Sequence, residues 1–177
     1  KRNFQEKKDV SKKNILKHFP NIELSYEKIA HKIVQKNTTV YLSIPYGQKY
    51  FAWFNNFSGK SQCLLMEIDR KNKGIKSFKT YCCCFDSKLC QGKGTILYGT
   101  KFQLINKNLS KANHFNVEDI LYFLGTPCSS TNLAKKLHLY QNLFSRYIKQ
   151  IIYTNNEVVF GLPIFGDFPD HIIEKTA

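Results

Sequence analysis

The sequence predicts an α+β fold, mostly antiparallel sheets with packed helices, and three observations carry that expectation. From about residue 38 onward, short runs rich in aromatic and β-branched residues alternate with glycine, proline and asparagine, as strands alternate with turns. One stretch near residues 131–151 instead repeats its apolar residues at helical spacing. The resulting order of strand, turn, meander, hairpin, strand, helix and strand is that of a mostly antiparallel mixed domain.

Composition bounds the function classes. The 177 residues are 42% hydrophobic and 14% aromatic, enough for one domain or slightly more with a real core. No run of about 18 apolar residues occurs, so no membrane span and no signal peptide are expected. A start at Lys1 rather than methionine is what a fragment or processed product would show. The net charge of +14, from 27 Lys+Arg against 13 Asp+Glu, favours polyanionic partners such as RNA, DNA or an acidic protein face. Abundant Asn, Ile, Tyr and Phe accompany the lysines, as AT-rich coding produces. Runs such as Lys7-Lys8, Lys12-Lys13 and Lys135-Lys136 are therefore read first as solvated faces.

The cysteines are Cys63, Cys82, Cys83, Cys84, Cys90 and Cys128. Three in succession alternate across a strand, and Cys84…Cys90 is not a zinc-knuckle spacing. Buried thiols in a reducing compartment are expected, with no metal and no cofactor.

Taken in order, residues 1–37 read as a basic tail with helices. Lys1–Lys13 is charged and aperiodic. Ser11 is placed to cap a short helix at Asn14–His18 that Pro20 stops, and Ser25 to cap a second at Ser25–Lys36. Residues 38–177 form the main domain. Thr38–Ser43 alternates, and Ile44–Lys49 is a Pro/Gly turn. Strands at Tyr50–Phe54 and Cys63–Ile68 are joined by the hairpin connection Asn55–Lys60. A β segment covers Ile75–Phe85. Gly94–Thr100 reads as a hairpin in which Gly99 supplies a positive φ, followed by an extended Phe102–Ile105. Asn106–His114 reads as a polar loop and Phe115–Phe123 as a buried strand. The strongest helix is expected from Thr131 to Ile151, capped by Ser130 or Thr131. Its apolar stripe is Leu133, Leu137, Tyr140, Phe144, Tyr147, Ile148 and Ile151. A last strand at Val158–Leu162 precedes a loop at Pro163–Pro169.

Bland readings come first for the remaining candidates. Glu118 and Asp119 are neighbours on a strand and face opposite ways, so they do not make an acid/base pair. The five histidines have no ligand spacing. Gln91-Gly92-Lys93-Gly94 lacks the length and trailing helix of a phosphate loop. Trp53 with Tyr50, Phe51, Phe54 and Phe57 alternates between core and exterior, and core packing accounts for most of these rings.

Three segments stand at matching offsets. Ile44-Pro45-Tyr46-Gly47-Gln48-Lys49 enters a strand. Thr95-Ile96-Leu97-Tyr98-Gly99-Thr100 follows at the centre of the chain. Phe115 through Gly125 comes last and contains Asp119-Ile120-Leu121-Tyr122. Together, over roughly Val40–Leu162, they resemble the nucleotidyltransferase domain shared by mRNA capping guanylyltransferases and ATP-dependent DNA and RNA ligases. The likeness is nearest to the capping enzymes of large DNA viruses. The first segment matches that family's K-x-D-G-x-R in position and length, keeping Gly47 and a basic Lys49. The second fits T-I-L-D-G-E at four of six places. The third follows F-x-x-x-D-I-L-Y-x-x-G. Asn156–Phe160 faintly echoes the fourth motif, and the final K-x-K has no counterpart.

The departures decide what the resemblance implies. Ile44 occupies the place of the nucleophilic lysine, and an aliphatic chain forms no phosphoramide. Tyr46 replaces an aspartate, while Tyr98 and Thr100 replace the family's Asp and Glu, removing hard ligands for a metal ion. Residues 38–177 are thus expected to be a degenerate nucleotidyltransferase-like domain without catalytic residues. Its cleft remnant would comprise Ile44, Tyr46, Gly47, Lys49, Tyr98, Gly99, Thr100, Asp119 and Tyr122, a groove that is either open or plugged by Tyr46 and Tyr98. The implied role is RNA binding or assembly in viral transcription or capping, in the host cytoplasm or the virion. Protein partners from such an assembly are expected too, and no membrane. Candidate nucleic-acid contacts are Lys49, Lys60, Lys93, Lys101, Lys135 and Lys136. Two alternatives stay open: an active guanylyl- or adenylyltransferase with a relocated lysine such as Lys49, and a purely structural partner-binding subunit.

Overall fold

The computed structural model describes residues 14–22, 41–69, 74–105, 111–151 and 157–166. The chain divides into two compact units, residues 1–37 and 38–177. In the first, residues 14–18 form a short helix, α1, closed by the Phe19 N–H donating to the Leu16 carbonyl at 3.2 Å. The expected cap Ser11 and the expected helix Ser25–Lys36 lie outside the described residues.

The second unit is built on a sheet of seven strands. Its members are β2 (Gln48–Phe57), β3 (Lys60–Asp69), β4 (Gly74–Tyr81), β6 (Thr95–Ile105), β7 (Lys111–Phe123), β8 (Thr126–Pro127) and β10 (Val158–Gly161). Strand order is β10-β7-β6-β2-β3-β4, with β8 paired to the far end of β7. All pairs are antiparallel except β10 with β7. The sheet curls into a half-barrel. A parallel bridge from Cys82, just past β4, to Glu157, just before β10, joins the two ends of that order. Two small pairs complete the unit: β1 (Tyr41–Ser43) with β11 (Ile164–Gly166), and β5 (Cys84–Phe85) with β9 (Ile148–Lys149). Among the described residues of this unit one α-helix, α2 (Leu133–Asn142), lies against β7.

The mostly antiparallel β character is as expected, and several boundaries are not. Asn55–Lys60 is not a loop. The strands continue to Phe57 and from Lys60, leaving a two-residue turn at Ser58-Gly59 with φ of 52° and 77°. Positive φ at both positions matches the right-handed twist of the strands it joins. Gly94–Thr100 is not a hairpin either, because Thr95–Ile105 is one strand. Gly99 lies inside it, away from every positive-φ position of the described residues. Close approach explains that glycine: a Cβ there would lie 1.9 Å from the Asn116 carbonyl oxygen. The sheet shifts register at this point, so that Tyr98 pairs Asp119 while Gly99 pairs Val117.

Residues 111–114, expected in a loop, extend β7, and Pro163–Pro169 contributes β11. The predicted β segment Ile75–Phe85 breaks into β4 and β5. The predicted helix Thr131–Ile151 stops at Asn142. A π-helical turn at Leu143–Tyr147 follows, and then β9. Pairing of Ile148 with Phe85, with the Asp86 N–H donating to the Tyr147 carbonyl at 2.8 Å, outweighs local helix preference there. The cap is Asn132, whose side chain accepts from the Lys135 N–H at 3.0 Å, in place of Ser130 or Thr131. Leu133 and Leu137 are exposed, so the stripe is a core face only from Tyr140 onward.

One face of the sheet carries Ala52, Phe54, Cys63, Leu65, Leu97, Phe115, Val117 and Ile120. Against them pack Tyr140, Leu143, Ile148 and Phe160. Phe54 meets the rings of Phe85 and Phe160 at 5.0 and 5.5 Å, and Phe115 meets Phe160 at 5.3 Å. Residues of the opposite face, among them Phe51, Trp53, Leu64, Met66 and Ile96, are buried as well. Trp53 is wholly interior, with its indole N–H donating to the Lys93 carbonyl at 2.9 Å.

Candidate functional site

Lys49, Phe51 and Trp53 alternate along β2 with Tyr50, Ala52 and Phe54, so the first three share one face of the sheet. Register fixes their neighbours: Lys49 lies opposite Thr100 on β6, and Thr100 lies opposite Asn116 on β7. The same face also carries Tyr98, and the shift between Tyr98 and Gly99 brings Glu118 of β7 alongside. Sequence reasoning did not place Glu118 among the cleft residues. In the fold it is the partner of Lys49.

The contacts are short and interior. Lys49 Nζ donates to Glu118 Oε2 at 2.5 Å and to Thr100 Oγ1 at 2.8 Å, while the Thr100 hydroxyl donates to Glu118 Oε1. Lys49 is only 5% exposed. Its ammonium also stands 5.7 Å from the Tyr98 ring centre, and Tyr98 lies 6.0 Å from Phe51. Asn116 is buried beside this group, and its Nδ2 has no hydrogen-bond partner among the described residues. A cation, a carboxylate and a hydroxyl thus satisfy one another, and opposite charges make the group neutral overall.

The remaining expected cleft residues distribute unevenly. Gly47 sits against β6, where a Cβ would meet the Lys101 carbonyl and the Thr100 methyl at 2.7 Å, so the start of β2 is pressed onto the centre of the site. Ile44 and Tyr46, in the preceding loop, are exposed, and Tyr46 is fully so. Tyr46 therefore does not plug a groove. Tyr122 pairs Ile96, one step along the same sheet from the Tyr98 pair. Asp119 leaves the Lys49 group and meets α2: Lys136 Nζ lies 2.5 Å from its Oδ1. Tyr140 of α2 donates to the Glu118 carbonyl at 3.1 Å, and burial with the nearby Asp119 and Glu118 charges pushes its phenol up.

Of the six lysines expected to meet nucleic acid, Lys49 is enclosed and Lys136 is tied to Asp119. Both are corrections: an ammonium held inside the sheet or in an ion pair is not displayed to a polyanion. Lys60, Lys93 and Lys135 are exposed, and Lys101 is half-buried. Gln91-Gly92-Lys93-Gly94 is a structural turn. It packs backbone against backbone on Leu124-Gly125, with the Gly125 N–H donating to the Gly94 carbonyl at 2.9 Å. No three His, Cys, Asp or Glu among the described residues come together as a ligand set. No described helix is long and apolar enough to cross a membrane.

A comparison with known proteins finds no matching protein-family model and no matching curated sequence.

Proposed function

We propose that this chain is a catalytically inactive nucleotidyltransferase-like module that binds RNA or serves as an assembly subunit in viral transcription or mRNA capping, and of the two roles we favour RNA binding. One observation carries the reading. The position corresponding to the nucleophile is Ile44, and the lysine nearest the corresponding cleft, Lys49, has its Nζ engaged by Glu118 and Thr100 inside the sheet. A nucleophile needs a free lone pair aimed at the substrate, and this nitrogen faces two acceptors instead. The strand positions that carried the family's carboxylates hold Tyr98 and Thr100, which serve packing and hydrogen bonding. The positive charge of +14 supports a polyanionic partner.

Incubation with α-labelled GTP or ATP tests the chemistry. The expected result is no label surviving denaturation, and a stable lysyl-nucleotide would overturn the reading. RNA binding is tested by fluorescence anisotropy across salt concentration. The affinity should fall steeply as salt rises.

A further inference from the structure

On the face of the sheet opposite the Lys49 group, lysines and tyrosines stand together beside the core, with Tyr50 and Tyr81 only partly buried against it. Tyr50 of β2, Lys79 and Tyr81 of β4, and Lys101 of β6 share this face, as their register with Gly99, Leu65, Cys63 and Phe115 requires. Lys101 Nζ stands 5.2 Å from the Tyr81 ring centre and 5.9 Å from that of Tyr50, and Lys79 Nζ stands 5.0 Å from Tyr81. In a flat sheet β6 and β4, three strands apart in the order, would be separated by about 14 Å. The curl of the half-barrel and two long side chains close that span.

No described carboxylate lies within ion-pair reach of Lys79 or Lys101. The nearest acid on this face, Glu67, is already held by Lys76 and Ser77, each at 2.9 Å. The arrangement therefore leaves two cations and two half-buried rings without a counter-anion. We infer that this Lys79–Tyr81–Lys101–Tyr50 face binds single-stranded RNA, with the lysines on phosphates and the tyrosines under bases. The inference rests on the RNA-binding reading above and says where on the molecule that binding occurs.

The physical case is one of competition and access. An exposed ammonium over a ring is held more weakly than a stacked base, so a base displaces the lysine, which is then free for phosphate. A duplex hides its base faces, so the rings are useful only to an unpaired strand.

The experiment measures anisotropy of a fluorescein-labelled oligo(A) RNA, and of its duplex with oligo(U), between about 50 and 200 mM salt. The expected result is tighter binding of the single strand. In Lys79→Gln/Lys101→Gln, which keeps stems of similar length, the slope of log affinity against log salt should shrink by about 0.7 per lysine. Tyr81→Leu should weaken binding about fivefold or more, Tyr81→Phe should not, and Lys88→Gln on the 3₁₀ turn at Ser87–Cys90 should leave the slope intact. If RNA binds but the loss follows Lys60→Gln/Lys135→Gln instead, the face is wrong while the RNA reading stands. Equal binding of polyglutamate with the same dependence on Lys79 and Lys101 would reassign the face to acidic proteins and overturn the inference. If the wild type binds no RNA at low salt, both fail.

Discussion

Lys49 and Glu118 form an ion pair that passes over β6 from β2 to β7, with 2.5 Å between Nζ and Oε2 and each side chain 7% exposed. A pair so enclosed contributes little net stability, because desolvation offsets most of the attraction, yet losing one member is costly. Glu118→Gln is expected to destabilise by about 3–5 kcal/mol in urea denaturation, since it leaves the ammonium buried without its counter-charge. The triple change Lys49→Met/Thr100→Val/Glu118→Leu removes the whole group and should be neutral or stabilising. A triple variant less stable than Glu118→Gln would show that the group contributes more than desolvation theory allows.

Gly99→Ala should be among the worst single substitutions in the sheet. Its Cβ would sit 1.9 Å from a backbone oxygen that the β6–β7 pairing holds in place, so the cost is expected at about 3 kcal/mol or more. Gly59→Ala meets nothing within 4 Å and has only its φ of 77° against it, which predicts about 1–2 kcal/mol. Thermal unfolding of the two variants side by side checks the order.

Alkali should unfold this protein through its tyrosines. Burial, with Glu67 and Tyr81 nearby, pushes Tyr50 up from 10.0 to about 12, and Tyr140 is pushed up as well. Both phenols hold their proton more tightly folded than unfolded. The Tyr50 contribution is thus complete below about pH 10 and is lost as pH rises through about 12, and the Tyr140 contribution is lost in the same direction. Tyr140→Phe removes the bond to the Glu118 carbonyl and should cost about 1 kcal/mol at neutral pH. The same variant should lose less stability than the wild type between pH 9 and pH 11, as read by denaturation midpoints alongside tyrosinate absorbance.

Thiol reactivity should divide by burial. Cys82 and Cys84 are exposed, while Cys63, Cys90 and Cys128 are interior and burial raises all three thiols. An aromatic disulfide reagent at mildly alkaline pH should modify Cys82 and Cys84 promptly and all six cysteines only after unfolding. Prompt reaction at Cys63 would contradict the packing of β3 against the core.

The β-rich character and the local hairpins were legible because alternation and turn chemistry are local signals. Tyr50–Phe54 announced β2, and Asn55–Lys60 announced a hairpin connection, though not that its turn is only Ser58-Gly59. What long-range pairing decides was not legible. Residues 143–149 carry a helical pattern, and only the distant Phe85 and Asp86 convert them to a π turn and a strand. Gly99 looked like a turn residue, because a glycine required by a neighbouring backbone and one required by φ read alike in sequence. The centre of the candidate site was half legible. Lys49, Tyr98 and Thr100 were singled out by their offsets. Glu118 was not, since a register shift in β7 brings it to them and no spacing rule predicts the shift. Lys79 and Tyr81 carried no signal, for their company with Tyr50 and Lys101 depends on the curl of the sheet.

The pairing of β10 with β7 has a consequence for biogenesis. As the chain leaves the ribosome, β2, β3, β4, β6 and β7 emerge in turn and can zip together. The outer edge of β7 at residues 113–116 then stays bare until residues 158–161 arrive, and those also carry the Val158 N–H to the Cys82 carbonyl that ties β10 to the first half. A nascent or prematurely terminated polypeptide ending before Glu157 would expose an unpaired strand edge, an invitation to intermolecular β-association that is withdrawn only once residues 158–161 have been made.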